Sequence, residues 1–269
     1  MAYFLILLIL HFIGDFYFQT SRIARCKNAN TGENCNSCKR CKAKALFNNK
    51  FVVIHTLLYA VPFLFLFLMT EWTNALIIIA AVLVSHYVID LVACCFNKKT
   101  KQTLVFVVDQ LLHTLVLFVA YKLFDMNSCF IEYELFVKIV FAILFLLVPS
   151  SVFINKLFQD LFTHSEQDKT SPNTPQEDEQ DKTSQDLSTK NKQDKIFDVG
   201  SIIGMLERAL VLVFAYFSDF AAIAIIITVK TWARSGDLRK NKEDFRDKYL
   251  LGTLASLVLA LIAFLIFKL

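Results

Sequence analysis

Glycine is scarce: the chain has six in 269 residues, and none of them builds a Gly-rich phosphate loop. There is no G-x-S-x-G elbow and no HExxH pair, which excludes nucleophile-elbow hydrolases and helix-borne zinc proteases. Residues 1–18 lack both a basic start and a small-residue cleavage site, so this apolar stretch reads as a retained first helix and not as a secretory signal. No nucleic-acid-binding motif accompanies the basic segments, and no RNA or DNA partner is expected. Histidine is also rare, with five copies. Four of these five, however, sit inside strongly apolar stretches.

Apolar residues make up for what is missing. The chain is 56% hydrophobic, with 27 phenylalanines and a mean hydropathy of +0.51. A soluble domain of this length has too little interior to hide that surface. Runs such as Phe51–Met69, Ala75–Phe96 and Leu104–Phe124 approach the ~20 residues that cross a bilayer. The expected fold is therefore all-α, a polytopic membrane helical bundle of about eight transmembrane helices. The spans are expected near 2–19, 51–70, 75–96, 103–124, 135–158, 199–217, 220–234 and 249–267. The sixth and seventh come from one long apolar block, Val199–Trp232, which is interrupted at Ser218-Asp219.

Charge supports that reading. Eight spans put loops 21–50, 97–103, 161–198 and 230–248 on one side, and these hold 23 of the 28 lysines and arginines. Lys/Arg-rich loops stay cytoplasmic, so the expected location is the cell (plasma or inner) membrane with both termini outside. Membrane lipids are the expected surroundings, and the basic loops are suited to anionic headgroups. The sequence does not specify an oligomeric state.

Three regions are expected along the chain. Residues 1–160 form a five-helix membrane unit, with a Cys-rich basic loop at 21–50. Residues 161–198 form a polar linker in which Gln-Asp-Lys recurs at 167, 180 and 193, and a segment with so little apolar area is expected to be disordered. Residues 199–269 form a three-helix membrane unit. In that last unit Glu207-Arg208, Lys230 and Arg234 suggest an ion pair or snorkelling to the interface, and Gly252 and Ser256 allow close helix approach.

The four apolar-segment histidines are His11, His55, His86 and His113. Three have an aspartate four residues away: Asp15, Asp90 and Asp109. Residues four apart share a helix face, so each pair points one way. On the expected topology all seven groups fall in the inner halves of four spans. Spans one and three share His-x-x-x-Asp, which hints at a parallel repeat. Ionisable groups in a membrane are costly and mark functional sites. Helix–helix hydrogen bonding, a proton or ion relay and a metal site all use such residues. A metal site accounts best for seven converging groups, and imidazole with carboxylate suits zinc, manganese or iron. Asp15, Asp90 and Asp109 are candidates for ligation, for bridging or for general-base catalysis.

Cys26, Cys35, Cys38 and Cys41 form a second candidate. In a cytoplasmic loop stable disulfides are disfavoured, and four thiolates complete a tetrahedral zinc site. An iron–sulfur cluster and plain reduced thiols remain as alternatives.

These residues resemble a bacterial integral-membrane family, "domain of unknown function 3307". The resemblance rests on His11-x-x-Gly14-Asp15-Phe16 with Gln19-Thr20, on His55, on Ser85-His86-x-x-Ile89-Asp90, and on Asp109-Gln110-x-x-His113. The carboxy-terminal unit looks like the region that accompanies this domain, through Ile203-Gly204-x-Leu206-Glu207-Arg208, Lys230-x-x-x-Arg234 and Leu250-x-Gly252-Thr253-Leu254-x-Ser256. The cysteine loop and the polar linker look like insertions. The resemblance implies the fold and no activity. The His/Asp layout is also similar in style to membrane-bound metal-dependent hydrolases. The functional expectation is a cytoplasm-facing intramembrane metal site that hydrolyses an amphiphilic or lipid phosphoester. The alternatives are a proton- or metal-ion-coupled transporter and a non-enzymatic membrane scaffold.

Overall fold

A computed structural model describes residues 2–19, 50–96, 101–124, 133–162, 199–236 and 243–268. Among these residues the chain is helical throughout and has no strand. The helices are α1 (Ala2–Phe12, continued by a π turn at Ile13–Tyr17), α2 (Lys50–Phe63, continued by a 3-10 segment at Leu64–Leu68), α3 (Trp72–Phe96), α4 (Gln102–Leu123), α5 (Glu134–Phe162), α6 (Val199–Tyr216), α7 (Phe220–Ala233) and α8 (Glu243–Lys268). Helices are what long apolar runs must form, because a bilayer offers the backbone no other hydrogen-bond partner.

Four of these segments are long and apolar enough to cross a membrane: Trp72–Ala93, Gln102–Leu123, Glu134–Phe162 and Arg246–Lys268. Ala2–Tyr17, Val52–Leu68 and Phe220–Ala233 are shorter apolar helices. Large apolar residues also point outward, with Trp72 69%, Val84 66% and Leu111 62% exposed. Outward apolar surface on this scale suits lipid and not water.

The described residues divide into two compact units, 1–153 with 262–269, and 154–261. In the first unit α1 is central. Leu5 through Phe12 are buried without a break, as expected for a helix that is apolar on every side. Phe12 stacks on Phe141 of α5 at 5.6 Å, and Tyr17 donates a hydrogen bond to the Leu144 carbonyl at 3.0 Å.

Two helices contain proline. Pro149 in α5 cannot donate to the carbonyl of Phe145, and the Ser150 hydroxyl donates to that oxygen instead, at 2.8 Å. Pro62 lies near the end of α2, directly ahead of the tighter 3-10 segment, consistent with a broken ladder.

In the second unit the chain turns between α6 and α7. Ser218 adopts a left-handed φ of 60°, and Asp219 caps α7 by accepting from the Ala222 amide at 3.1 Å. The interruption expected at Ser218-Asp219 is therefore a helix break. The small residues of α8 each receive a neighbour. A Cβ on Gly252 would stand 2.8 Å from Phe158 Cζ, and Ser256 accepts from the Arg208 guanidinium at 3.4 Å. Lys230 and Glu207 form an ion pair, as the sequence suggested.

Candidate metal centre

The cluster begins with a distortion of the backbone. If α1 continued as a regular α-helix, His11 and Asp15 would lie on one face. Instead Ile13–Tyr17 form a π turn, closed by the Phe18 amide donating to the Ile13 carbonyl at 2.9 Å. The extra residue in the turn rotates the subsequent residues about the helix axis, and such turns frequently accompany functional sites. Asp15 is thereby aimed at α2 and α4. One carboxylate oxygen lies 3.1 Å from Nε2 of His55, and the other accepts from the Gln110 amide at 2.9 Å. Gly14 makes this approach possible, since a Cβ there would lie 2.7 Å from Tyr59 Cδ2 and 3.1 Å from its carbonyl oxygen.

α2 contributes His55 and, one turn later, Tyr59. α3 contributes His86 and Asp90. Nε2 of His86 is 3.2 Å from Nε2 of His55. Asp90 Oδ2 lies 3.4 Å from His86 and 3.6 Å from His55. The Tyr59 ring stacks flat on His86, with centres 3.7 Å apart and planes within 1°. His55, His86 and Asp90 are fully buried, and Asp15 is 6% exposed.

α4 completes the group. His113 Nδ1 donates to the Asp109 carbonyl at 2.8 Å, and this fixes the tautomer so that Nε2 carries the lone pair. That Nε2 is buried and makes no hydrogen bond among the described residues. Gln110 joins three partners, donating to Asp15 and Asp109 and accepting from His11 Nε2 at 3.2 Å. His11 Nδ1 in turn accepts from the Tyr59 hydroxyl at 3.0 Å.

The seven histidines and aspartates picked out in the sequence thus form one connected cluster in the first unit. Their roles divide. Two triads bring their ligand atoms within 4.8 Å of one another: Asp15, His55 and His86, and again His86, Asp90 and His113. His86 belongs to both. His11 lies outside these triads, with both ring nitrogens engaged by Tyr59 and Gln110. Asp109 also lies outside them and is the most open of the seven, at 14% exposure. Two of the three pairs implied by spacing are kept, His86 with Asp90 at 3.4 Å and His113 with Asp109 at 3.8 Å, while Asp15 turns from His11 to His55. His55, which has no acidic partner on its own helix, stands between two carboxylates supplied by α1 and α3.

The distances show what the group can do. A hydrogen bond needs one proton between two atoms. Nε2 of His55 faces Asp15, His86 and Asp90 together, more partners than one proton can serve. In a tetrahedron with metal–ligand bonds of about 2.0–2.1 Å, neighbouring ligand atoms stand about 3.3 Å apart. The separations here are 3.1, 3.2, 3.4 and 3.6 Å. These separations are close to that value, and either triad could hold a divalent cation.

Gln110 and Tyr59 were not singled out from sequence as site residues. Tyr59 sits one turn after His55 and so on the same helix face, and Gln110 adjoins Asp109. Replacing Tyr59 by phenylalanine removes the hydroxyl that orients His11 and keeps the ring on His86. Metal affinity is expected to fall about 10-fold, within the 10–100-fold range for an orienting partner, with little change in unfolding temperature. Competition against a chromogenic chelator measures it. Cys26, Cys35, Cys38 and Cys41 lie outside the described residues.

The comparison with curated proteins finds no match, and neither does the comparison with solved structures. A family model matches residues 3–35 and 34–142, breaking inside the cysteine loop and ending before the second unit. All seven cluster residues fall within the matched stretch. The chain belongs to the family described as "Protein of unknown function (DUF3307)".

Proposed function

We propose that this chain is an integral membrane metalloprotein with eight spans, holding one divalent transition-metal ion and using it to hydrolyse an amphiphilic phosphoester at the cytoplasmic face. The observation that carries the reading is the convergence of Asp15 and His55 on His86 and of Asp90 on the same pair of imidazoles, with four donor–donor separations of 3.1–3.6 Å. His113, with Nδ1 committed to the Asp109 carbonyl, is the reserve ligand for an expanded coordination shell. A bound zinc, manganese or iron ion at such a centre acidifies water and polarises a phosphoryl oxygen. Asp109, outside the converging donors and more open than they are, is the general base in this reading. Gln110, anchored by His11, holds the Asp15 and Asp109 carboxylates in register. The positive-inside distribution, with 23 of 28 cationic residues in four loops, supports the side.

Metal analysis of detergent-purified protein tests the first half. About one equivalent of zinc, manganese or iron per chain is expected, and a folded sample with no stoichiometric metal ends the proposal. Phosphate release from lipid phosphoesters in mixed micelles, lost on chelation and restored by metal, tests the second. The continuous His–Asp–Gln–His–Tyr hydrogen-bond network favours one competing reading, an ion or proton relay. In that case proteoliposomes carry a pH-dependent flux while the phosphoester assay stays silent.

A further inference from the structure

The second unit carries a separate concentration of charge. The end of α5 with α6, α7 and α8 surrounds an open pocket of about 800 Å³. Its cations are Lys230 and Arg234, from the end of α7, and Lys248 of α8. Phe158, Phe162 and Tyr249 supply apolar wall. Among the described lining residues Glu207 is the only acid, and it is paired with Lys230. The pair cancels one charge of each sign and leaves a net charge of about +2 on the lining.

The ammonium groups are held against rings. Lys248 Nζ stands 5.0 Å from the centre of Phe162, and Lys230 Nζ stands 6.0 Å from Tyr249, both within cation–π range. A further cation, Arg208, is buried at 3% exposure. Its Nη1 lies 3.4 Å from where a Cβ on Gly204 would be.

We infer that this pocket binds the headgroup of an anionic phospholipid, its phosphate against Arg234 and Lys248 and its glycerol and first acyl carbons against Phe158 and Phe162. Basic pockets between transmembrane helices on the cytoplasmic side hold such headgroups. Volume separates a lipid from a free phosphate. Pockets of about 300–1,000 Å³ suit molecules of drug size, and a bare phosphate would leave most of this one empty. Charge with adjoining aromatic surface also matches an amphiphile and not a small ion. The inference rests on the membrane reading and is independent of the metal centre.

The test uses the full chain in mild detergent and native mass spectrometry with phosphatidylglycerol, phosphatidylcholine and inorganic phosphate as probes. One phosphatidylglycerol is expected to stay bound under conditions that strip phosphatidylcholine. Arg234→Gln with Lys248→Gln should weaken that binding about tenfold or more, whereas Lys122→Gln in the first unit should leave it unchanged. If the double variant unfolds early, Lys248→Gln alone still applies, because Lys248 is exposed, and a loss of about fourfold is expected. Three results overturn the inference: equal retention of the two lipids, undiminished binding by the folded variants, or complete displacement by millimolar inorganic phosphate.

Discussion

Replacing His86 by alanine is expected to empty the metal centre, cutting bound metal from about one ion per chain to below about a tenth. His86 is the residue common to both ligand triads, so its loss leaves neither intact. Its ring is fully buried and stacked on Tyr59, so alanine leaves a gap where the ligand nitrogen stood. Two carboxylates, Asp15 and Asp90, then remain among apolar helices without the metal ion that would offset them, which destabilises the fold. The wild type should gain stability from metal: at about 1,000 times Kd the ion adds about 4 kcal/mol, and His86→Ala should show none of that gain. Elemental analysis and detergent unfolding curves, with and without zinc, read both effects. A His86→Ala protein that keeps its metal, or still melts higher in zinc, would falsify the centre described here.

Gly14→Ala should produce the largest stability loss from a single added methyl. That methyl would stand 2.7 Å from Tyr59 Cδ2, 3.1 Å from its carbonyl oxygen and 3.2 Å from its Cα. Two of the three atoms are backbone, so the clash is relieved only by moving α2 away from α1. Overpacking of this kind costs about 1–3 kcal/mol. The same movement separates Asp15 from His55, now 3.1 Å apart, and metal binding should fall with stability. A loss of metal without a lower unfolding midpoint would contradict the steric account, and an unchanged midpoint would sink it outright.

The helices were legible in the sequence because the membrane simplifies the problem. Apolar runs must be helical, and among the described residues eight helices fall on the eight apolar segments. Span length is a different matter: four helices have the length and composition to cross, and the segments around α1, α2 and α7 are shorter. Pro62 and the π turn in Ile13–Tyr17 change α2 and α1 locally. A π turn has no residue signature, since it depends on what the neighbouring helices present.

The sequence by itself determined that seven ionisable groups lie in apolar segments and that they need one another, because hydrocarbon offers them no other partner. It also supplied the i,i+4 geometry that aims His86 with Asp90 and His113 with Asp109. Only the tertiary structure decided which groups meet. Spacing along one helix cannot show that Asp15 turns to His55 in α2, that Asp90 closes on the same point, or that His11 is withdrawn behind Tyr59 and Gln110. Those outcomes depend on the rotation introduced by the π turn and on how closely Gly14 lets α1 approach α2. Each arises from packing between segments far apart in the chain.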